Sequence, residues 1–223
     1  MLALARDIIN CDQAVRDVDT KFRYKGHFRE LSGKTLGIIG FGRTGQRTAQ
    51  IAKQALAMNV LVYGRERDTG LVKRMGMERK EQLKDLLTES DIVSLHLPLK
   101  DDTRHIIGRP QLQLMKSSAL LVNTARGGLI DETALCAALG SARIAGAALD
   151  VVEKEPLAGT HCLARLDNVI LSPHTGGSTE EALARTATQV ATQVINVLAG
   201  KKPPHMVNPG IWRQRRRPPS ASA

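Results

Sequence analysis

Residues 35–45 have the sequence TLGIIGFGRTG, in which an apolar, partly β-branched run leads into Gly40, Gly42 and Gly45 at G-x-G-x-x-G spacing. A helical pattern follows, and this order of strand, glycine turn and helix suits the pyrophosphate of a dinucleotide. Gly40 makes the tight turn, Gly42 lets the backbone approach the phosphates, and Gly45 lets the helix pack on the strand with its first N–H groups facing the anion. The stretch predicts a cofactor-binding turn, the alternative being a glycine-rich loop without a ligand.

The rest of the chain alternates between strand-like and helical segments. Apolar runs typical of buried strands lie at 59–63, 91–95, 119–122, 144–149 and 169–171, and helical patterns lie at 2–18, 44–57, 80–88, 131–139 and 179–198. Buried strands alternating with helices predict an α/β fold with a Rossmann-type, doubly wound parallel sheet. We expect an N-terminal helix and arm over 1–30, a single dinucleotide-binding domain with its closing helix over 31–200, and a disordered basic tail over 201–223.

Composition and cysteine usage narrow the class of protein. The chain has 223 residues, of which 42% are hydrophobic and 24% charged, an ordinary globular composition. No apolar run is long enough for a membrane span, and the first residues lack the layout of a secretory signal. The three cysteines, Cys11, Cys136 and Cys162, have neither C-x-x-C nor Cys/His metal spacing. We therefore expect no disulfide framework, no metal site and a cytoplasmic location.

The net charge of +10 raises the question of a nucleic-acid partner. Much of it lies in the tail, where all the charged residues are basic: Lys201, Lys202, Arg213, Arg215, Arg216 and Arg217. Aromatic residues make up only 3% of the chain, too few for an obvious base-stacking surface. A solvated basic tail is the favoured interpretation, and nucleic-acid binding is the minor alternative.

The end of the second predicted strand bears on the choice of nucleotide. A dinucleotide fold normally has an acidic residue there, roughly 20 residues past the glycines, to hold the ribose hydroxyls. In the stretch VLVYGRERD, Gly64 takes that place and Arg65 and Arg67 follow. Without the carboxylate, a guanidinium can pair with a 2′-phosphate, which favours NADP(H) over NAD(H). The alternative is a charged surface turn in which Glu66 or Asp68 holds the ribose.

Three further candidates for chemistry follow strand ends, where parallel sheets bind their ligands. Arg126 can pair with the carboxylate of a substrate, His174 can pass a proton to a forming alkoxide, and Glu155 can hold the imidazole. This set suits the reduction of an anionic carbonyl compound with a cofactor that supplies the hydride. Each residue also has an ordinary explanation, as a surface cation, a loop acid before a proline, or a hydrogen-bonded structural histidine.

The motifs GFGRTG, HLPLKDDTRHIIG, NTARGGLID, GAALDVVEKEP and LSPHTGGST together resemble the D-isomer-specific 2-hydroxyacid dehydrogenases, in the right order from about residue 1 to Pro209. The resemblance implies catalytic roles for Arg126, Glu155 and His174, a small anionic 2-keto acid or 2-hydroxy acid as substrate, and a homodimer formed through the N-terminal helix and arm. Gly64 and Arg65 are similar to the NADP-preferring glyoxylate reductases of that family. The residues implied to bind the cofactor are Gly40, Gly42, Arg43, Thr44, Gly45, Arg65, Leu97, Pro98, Thr103, Thr124, Ala125, Arg126, Asp150, His174, Gly176 and Gly177.

The sequence also departs from that family. Its members carry most of a flavodoxin-like substrate domain before the segment that corresponds to residues 2–18 here. The resemblance therefore implies that half of the substrate cleft is missing, and with it the closure that excludes water. The alternative function is a nucleotide-binding module without turnover, or a truncated remnant of such an enzyme.

Overall fold

Seven short strands pair in parallel to form one sheet in the computed structural model, which describes residues 1–65 and 69–214. The strands are β1 Thr35–Ile39, β2 Asn59–Tyr63, β3 Glu78–Arg79, β4 Ile92–Leu95, β5 Leu120–Asn123, β6 Gly146–Leu149 and β7 Val169–Leu171. Their order across the sheet is β3-β2-β1-β4-β5-β6-β7, so the direction of winding reverses between β1 and β4. The predicted doubly wound Rossmann-type sheet is confirmed, and its switch point lies beside the glycine turn.

Helices cover both faces of the sheet. In the part of the chain that holds the sheet they are α1 Leu2–Ala5, α2 Ile8–Arg16, α3 Phe22–Lys25, α4 Arg43–Ala55, α5 Thr69–Arg74, α6 Leu83–Glu89, α7 Arg109–Leu114 and α8 Glu132–Gly140, with 3-10 turns at Gly127–Leu129 and Cys162–Arg165. A second unit contains α9 Glu180–Leu198 and the 3-10 turn Pro209–Gln214. Each strand sends alternate side chains to opposite faces. Leu36 and Ile38 of β1 therefore pack with α4 and α5 on one face, while Ile39 packs with α6, α7 and α8 on the other.

The predicted helix over 2–18 is wrong in one respect, because the structure breaks it into α1 and α2 at Asp7. Asp7 has a left-handed backbone with a φ of 51°, and its carboxylate accepts a hydrogen bond from Asn10 Nδ2 at 2.7 Å. The break lets Ala5, only 1% exposed, pack into the core while its carbonyl accepts the Arg29 N–H at 2.9 Å. The backbone hydrogen bond thus joins the two ends of the N-terminal helix and arm, and the packing of Ala5 against the cluster of Leu36 and Ile38 attaches them to the sheet.

The expectation that no disulfide forms is also wrong, since Cys136 and Cys162 are joined by one. They are 26 residues apart in sequence, with Cα atoms 6.1 Å apart. Cys136 lies on α8, and Leu163, next to Cys162, packs in the same apolar cluster as Leu135 of that helix. Packing at this cluster brings the two cysteines together, a proximity that their spacing in the sequence does not reveal.

The chain divides into two compact units, Met1–His174 and residues 175–223. In the second unit Thr179 caps α9, its Oγ1 accepting the Ala182 N–H at 3.1 Å, and two glutamates in the first turn favour the same helix end. No helix among the described residues is long and apolar enough to cross a membrane. Part of the predicted tail, Pro209–Gln214, forms a 3-10 turn, and residues 215–223 lie outside the described part. The predicted domain boundaries stay a prediction.

Candidate functional site

The glycine turn is built by close approach of three strand ends. Gly40 has a φ of +95°, and a Cβ there would lie 2.7 Å from the His96 backbone. Its N–H donates to the Tyr63 carbonyl at 2.8 Å, so the turn is fixed to the end of β2. A Cβ at Gly45 would overlap the Gly40 carbonyl oxygen. Gly40 and Gly45 thus have the structural roles that their spacing predicts.

The N-terminus of α4 opens from this turn. Gly42 is its N-cap residue and brings no side chain that could cap the first turn, which leaves backbone N–H groups for an anion. A Cβ built on Gly42 would meet no described atom within 4 Å, so the space before the turn is open. Arg43 and Thr44 are exposed beside it. This helix end fits the pyrophosphate of a dinucleotide.

The candidates for the choice of nucleotide lie just past β2. Gly64 is half-buried and Arg65 is exposed at the carboxyl end of the strand, on the side of the sheet that carries the glycine turn. The other residues considered for the ribose, Glu66, Arg67 and Asp68, lie outside the described residues.

The segment after β4 contains His96, which was not among the predicted site residues. His96 Nε2 lies 3.0 Å from Ser94 Oγ, and burial lowers the pKa of His96 to about 4. His96 is therefore neutral near pH 7. The signal that could have identified His96 from the sequence is its place directly after a buried strand. Farther along, Thr103 Oγ1 donates to the Pro98 carbonyl at 2.8 Å, which fixes the turn that follows Leu97.

The loop after β5 is shaped by Asn123, whose side chain is fully buried. Its Nδ2 donates to the Arg126 carbonyl at 2.9 Å, and its Oδ1 accepts the Ala125 N–H at 3.0 Å. The loop consequently turns Thr124 and Arg126 outward to solvent. The Arg126 guanidinium donates to the Ala125 carbonyl at 2.6 Å, so its position is set by the same loop.

The strand ends of β6 and β7 are held together by Asp150. This carboxylate is only 7% exposed, and its Oδ1 accepts a hydrogen bond from Ser172 Oγ at 2.6 Å. The Asp150 carbonyl accepts the His174 N–H at 2.9 Å, and His174 has a left-handed φ of 55°. The backbone turns sharply at this residue and brings the imidazole back towards the loop after β6.

Glu155 and His174 form a pair at a cavity of about 620 Å³. His174 Nδ1 lies 2.9 Å from Glu155 Oε2, while Glu155 Oε1 accepts the Val152 N–H at 3.4 Å. An ionised carboxylate only accepts, so Nδ1 carries a proton and Nε2 remains as the atom that can exchange one with a ligand. The cavity is lined by Asp150, Val152, Glu155, Pro156, Leu157, Leu171, Ser172, Pro173 and His174.

The structure thus brings three predicted site residues, Asp150, Glu155 and His174, to one cavity. Arg126 lies on a neighbouring loop and is not one of the described residues that line it. Gly176 and Gly177 belong to the second unit.

The pKa of Glu155 directly tests the geometry of the Glu155–His174 pair. The hydrogen bond with His174 is the main factor that holds the pKa of Glu155 below its ordinary value of 4.5, with help from the Val152 N–H. A carboxyl whose pKa is depressed by folding stabilises the protein above its ordinary pKa, and that contribution is lost as pH falls through the folded-state value. We expect carboxyl-carbon NMR to show a Glu155 midpoint below 4.5, and His174→Ala to move it upward. An unchanged midpoint in that variant would contradict the pairing.

A sequence model of the D-isomer specific 2-hydroxyacid dehydrogenase NAD-binding domain matches residues 1–176. This chain belongs to that family. The resemblance drawn from the motifs is therefore confirmed, and the sheet and the glycine turn lie within the matched NAD-binding domain.

Other family members match most of this chain but extend well beyond it. A glyoxylate reductase of Aeropyrum pernix is 44% identical over 221 residues, covering 96% of this chain and 65% of the relative. A D-3-phosphoglycerate dehydrogenase of Methanocaldococcus jannaschii is 46% identical, covering 96% and 41%. The crystal structure of the TT0316 protein from Thermus thermophilus superimposes with a TM-score of 0.84 at 36% identity, covering 92% and 64%. The chain spans less than two thirds of the length of each.

Proposed function

We propose that this chain is the cofactor-binding part of an oxidoreductase that transfers a hydride between a nicotinamide cofactor and a small 2-keto acid or D-2-hydroxy acid. The observation that carries the proposal is the pair of Glu155 and His174, 2.9 Å apart at a cavity lined by the segments that follow β6 and β7. Relatives named as glyoxylate reductases and a D-3-phosphoglycerate dehydrogenase support this reaction class.

The proposed roles follow from the chemistry of the side chains. When bound, the nicotinamide supplies the hydride, and the protein must supply a proton and hold the substrate anion. His174 Nε2 gives the proton to the forming alkoxide, and Glu155 holds the ring through Nδ1. Arg126, exposed on the β5 loop, pairs with the substrate carboxylate.

The cofactor contacts are proposed along the carboxyl edge of the sheet. The first turn of α4 would hold the pyrophosphate, with Gly42 giving it room. The carboxylate of Asp150, held by Ser172, would lie near the nicotinamide carboxamide. The remaining proposed contacts are Gly40, Arg43, Thr44, Gly45, Arg65, Leu97, Pro98, Thr103, Thr124, Ala125, Arg126, His174, Gly176 and Gly177.

Turnover measurements test the function directly. The purified chain, offered glyoxylate, hydroxypyruvate and pyruvate in turn, is expected to oxidise the reduced nicotinamide cofactor with at least one of them. Nucleotide binding without turnover on any of the three would favour the second candidate function, a binding module without catalysis. The exposed position of both Glu155 and His174 is the observation that supports this second candidate, because an open site does not exclude water.

Arg65 gives a specific prediction on the cofactor. If its guanidinium pairs with a 2′-phosphate, Arg65→Ser should weaken NADPH binding about tenfold or more and leave NADH binding nearly unchanged. Fluorescence titrations with both nucleotides measure this difference. Arg185→Ser, which removes an exposed arginine from α9, is the matched control for lost charge. Equal losses for both nucleotides would overturn the proposed preference for NADP(H) over NAD(H).

A homodimer is proposed through the N-terminal arm. Its apolar residues Leu2, Ile9, Val15 and Val18 are between 56% and 79% exposed, more apolar surface than an isolated arm normally leaves in water. Sedimentation of a single, monomeric species at micromolar concentration would contradict the dimer. The expected cytoplasmic location also stays a prediction, which cell fractionation tests.

A further inference from the structure

Four side chains outside the candidate cavity form a second reactive cluster: Glu132, Cys136, His161 and Cys162. Glu132 and Cys136 lie one turn apart on α8, while His161 and Cys162 begin the 3-10 turn Cys162–Arg165. One ligand-type atom from each of Cys136, His161 and Cys162 lies within 4.8 Å of the others. The imidazole nitrogen Nδ1 is 3.8 Å from Cys162 Sγ.

The orientation of His161 is fixed from both sides. Its Nε2 lies 3.4 Å from a carboxylate oxygen of Glu132, which is only 8% exposed, and its Nδ1 accepts the Leu163 N–H at 3.3 Å. Because the carboxylate can only accept, the ring proton lies on Nε2, and the lone pair of Nδ1 accepts the Leu163 N–H while Cys162 Sγ lies 3.8 Å from the same atom. Nδ1 must release the Leu163 N–H when it accepts the proton of the Cys162 thiol. A thiol, an imidazole and a carboxylate are therefore aligned in the order that activates a thiol.

We propose that Cys136 and Cys162 are a reversible thiol–disulfide pair, in which Cys162 attacks a low-molecular-weight disulfide and His161, held by Glu132, accepts the proton of its thiol. Cys162 is exposed and adjacent to the imidazole, whereas Cys136 is half-buried on α8. These positions make Cys162 the attacking sulfur and Cys136 the resolving one.

The two steps balance without a further oxidant. The Cys162 thiolate forms a bond to one sulfur of the external disulfide, whose other sulfur leaves as a thiolate. Cys136 then loses its proton to solvent and attacks Cys162 Sγ, forming the bond seen in the structure and releasing the second thiolate. The protein loses two electrons, and the external disulfide is reduced to two thiols.

The cluster is also connected to the loop that carries Glu155. Glu132 Oε1 accepts the Glu153 N–H at 2.6 Å, and the Glu132 N–H donates to Glu153 Oε1 at 3.3 Å. Glu132 therefore holds both the imidazole that faces the cysteines and the backbone two residues before Glu155. The thiol chemistry itself does not depend on the proposed dehydrogenase function.

Trapping with oxidised glutathione tests the proposal. The full chain is made in a Cys11→Ser background, reduced, freed of reductant, and mixed with oxidised glutathione at neutral pH. We expect the Cys136→Ser variant to retain one glutathione on Cys162, about tenfold faster than Cys162→Ser gains one on Cys136. With both cysteines present, intact-protein mass spectrometry should show no retained glutathione and the loss of two hydrogens.

The controls separate activation from simple exposure. In the Cys136→Ser chain, His161→Ala should slow the reaction of Cys162 severalfold. His27→Ala, which removes an exposed histidine distant in sequence from the cluster, should not slow it. If a variant fails to fold, the alkylation rates of Cys136 and Cys162 are compared instead in the reduced chain without these substitutions. Equal rates at the two cysteines would overturn the proposal. So would a reduced chain that binds one zinc ion through this cluster and then resists oxidised glutathione.

Discussion

Replacing His174 with alanine is expected to lower kcat for keto-acid reduction by roughly 10²–10⁴, the contribution typical of a positioned general acid. The reason is geometric: Glu155 fixes Nδ1 at 2.9 Å and leaves Nε2 to give its proton to the alkoxide. Loss of the one proposed cofactor contact of His174 should weaken nucleotide binding far less than it lowers kcat, because the proton is transferred only during the reaction. Steady-state kinetics together with nucleotide titration separate the two effects.

The matched control for this variant is His205→Ala, which removes an exposed histidine outside the cavity and should leave kcat unchanged. Glu155→Gln keeps the shape of the side chain but removes its charge, so we expect a smaller loss of kcat than in His174→Ala. A His174→Ala chain with full activity would exclude the proposed proton donor. A chain that binds nucleotide but has no activity even with His174 intact would instead favour the module without turnover.

The strands could be predicted because of how this sheet buries them. β1, β2 and β4 are covered on both faces, so each is a mostly apolar run that can be recognised without knowledge of its neighbours. β3, Glu78–Arg79, was missed for the opposite reason, since its two polar residues form a strand only because they pair with Leu61 and Val62 of β2. A local sequence pattern therefore predicts a strand that is buried on both faces, but not a strand that forms only by pairing with a neighbouring strand.

Tertiary contacts explain the other misses. The helical periodicity of residues 2–18 continues through Asp7, but the chain turns at Asp7 and Ala5 is buried in the core. The cysteines that form the disulfide are 26 residues apart, and only the packing of α8 with the 3-10 turn Cys162–Arg165 brings them together. By contrast, the proximity of Glu155 to His174, 19 residues away, was inferred from their positions after the carboxyl ends of strands and from the family resemblance.

The second large effect is expected at the glycine turn, where two neighbouring substitutions should behave differently. Gly40→Ala places a Cβ 2.7 Å from the His96 backbone at a φ of +95°, so we expect a loss of roughly 2–4 kcal/mol in the free energy of unfolding. Gly42→Ala adds the same methyl group where no described atom lies within 4 Å, and the expected loss is at most about 1 kcal/mol. Urea denaturation measures both values.

Nucleotide binding should rank these variants in a way that stability does not. The methyl group of Gly42→Ala extends into the open space before the first turn of α4, where the pyrophosphate is proposed to bind. We expect NADPH and NADH affinity to fall about tenfold or more, equivalent to at least about 1.4 kcal/mol, in a chain that remains folded. Unchanged affinity in Gly42→Ala would place the phosphates elsewhere. The stability loss in Gly40→Ala would still stand, because it depends on the positive φ of Gly40 and on the contact between the ends of β1 and β4, not on the nucleotide.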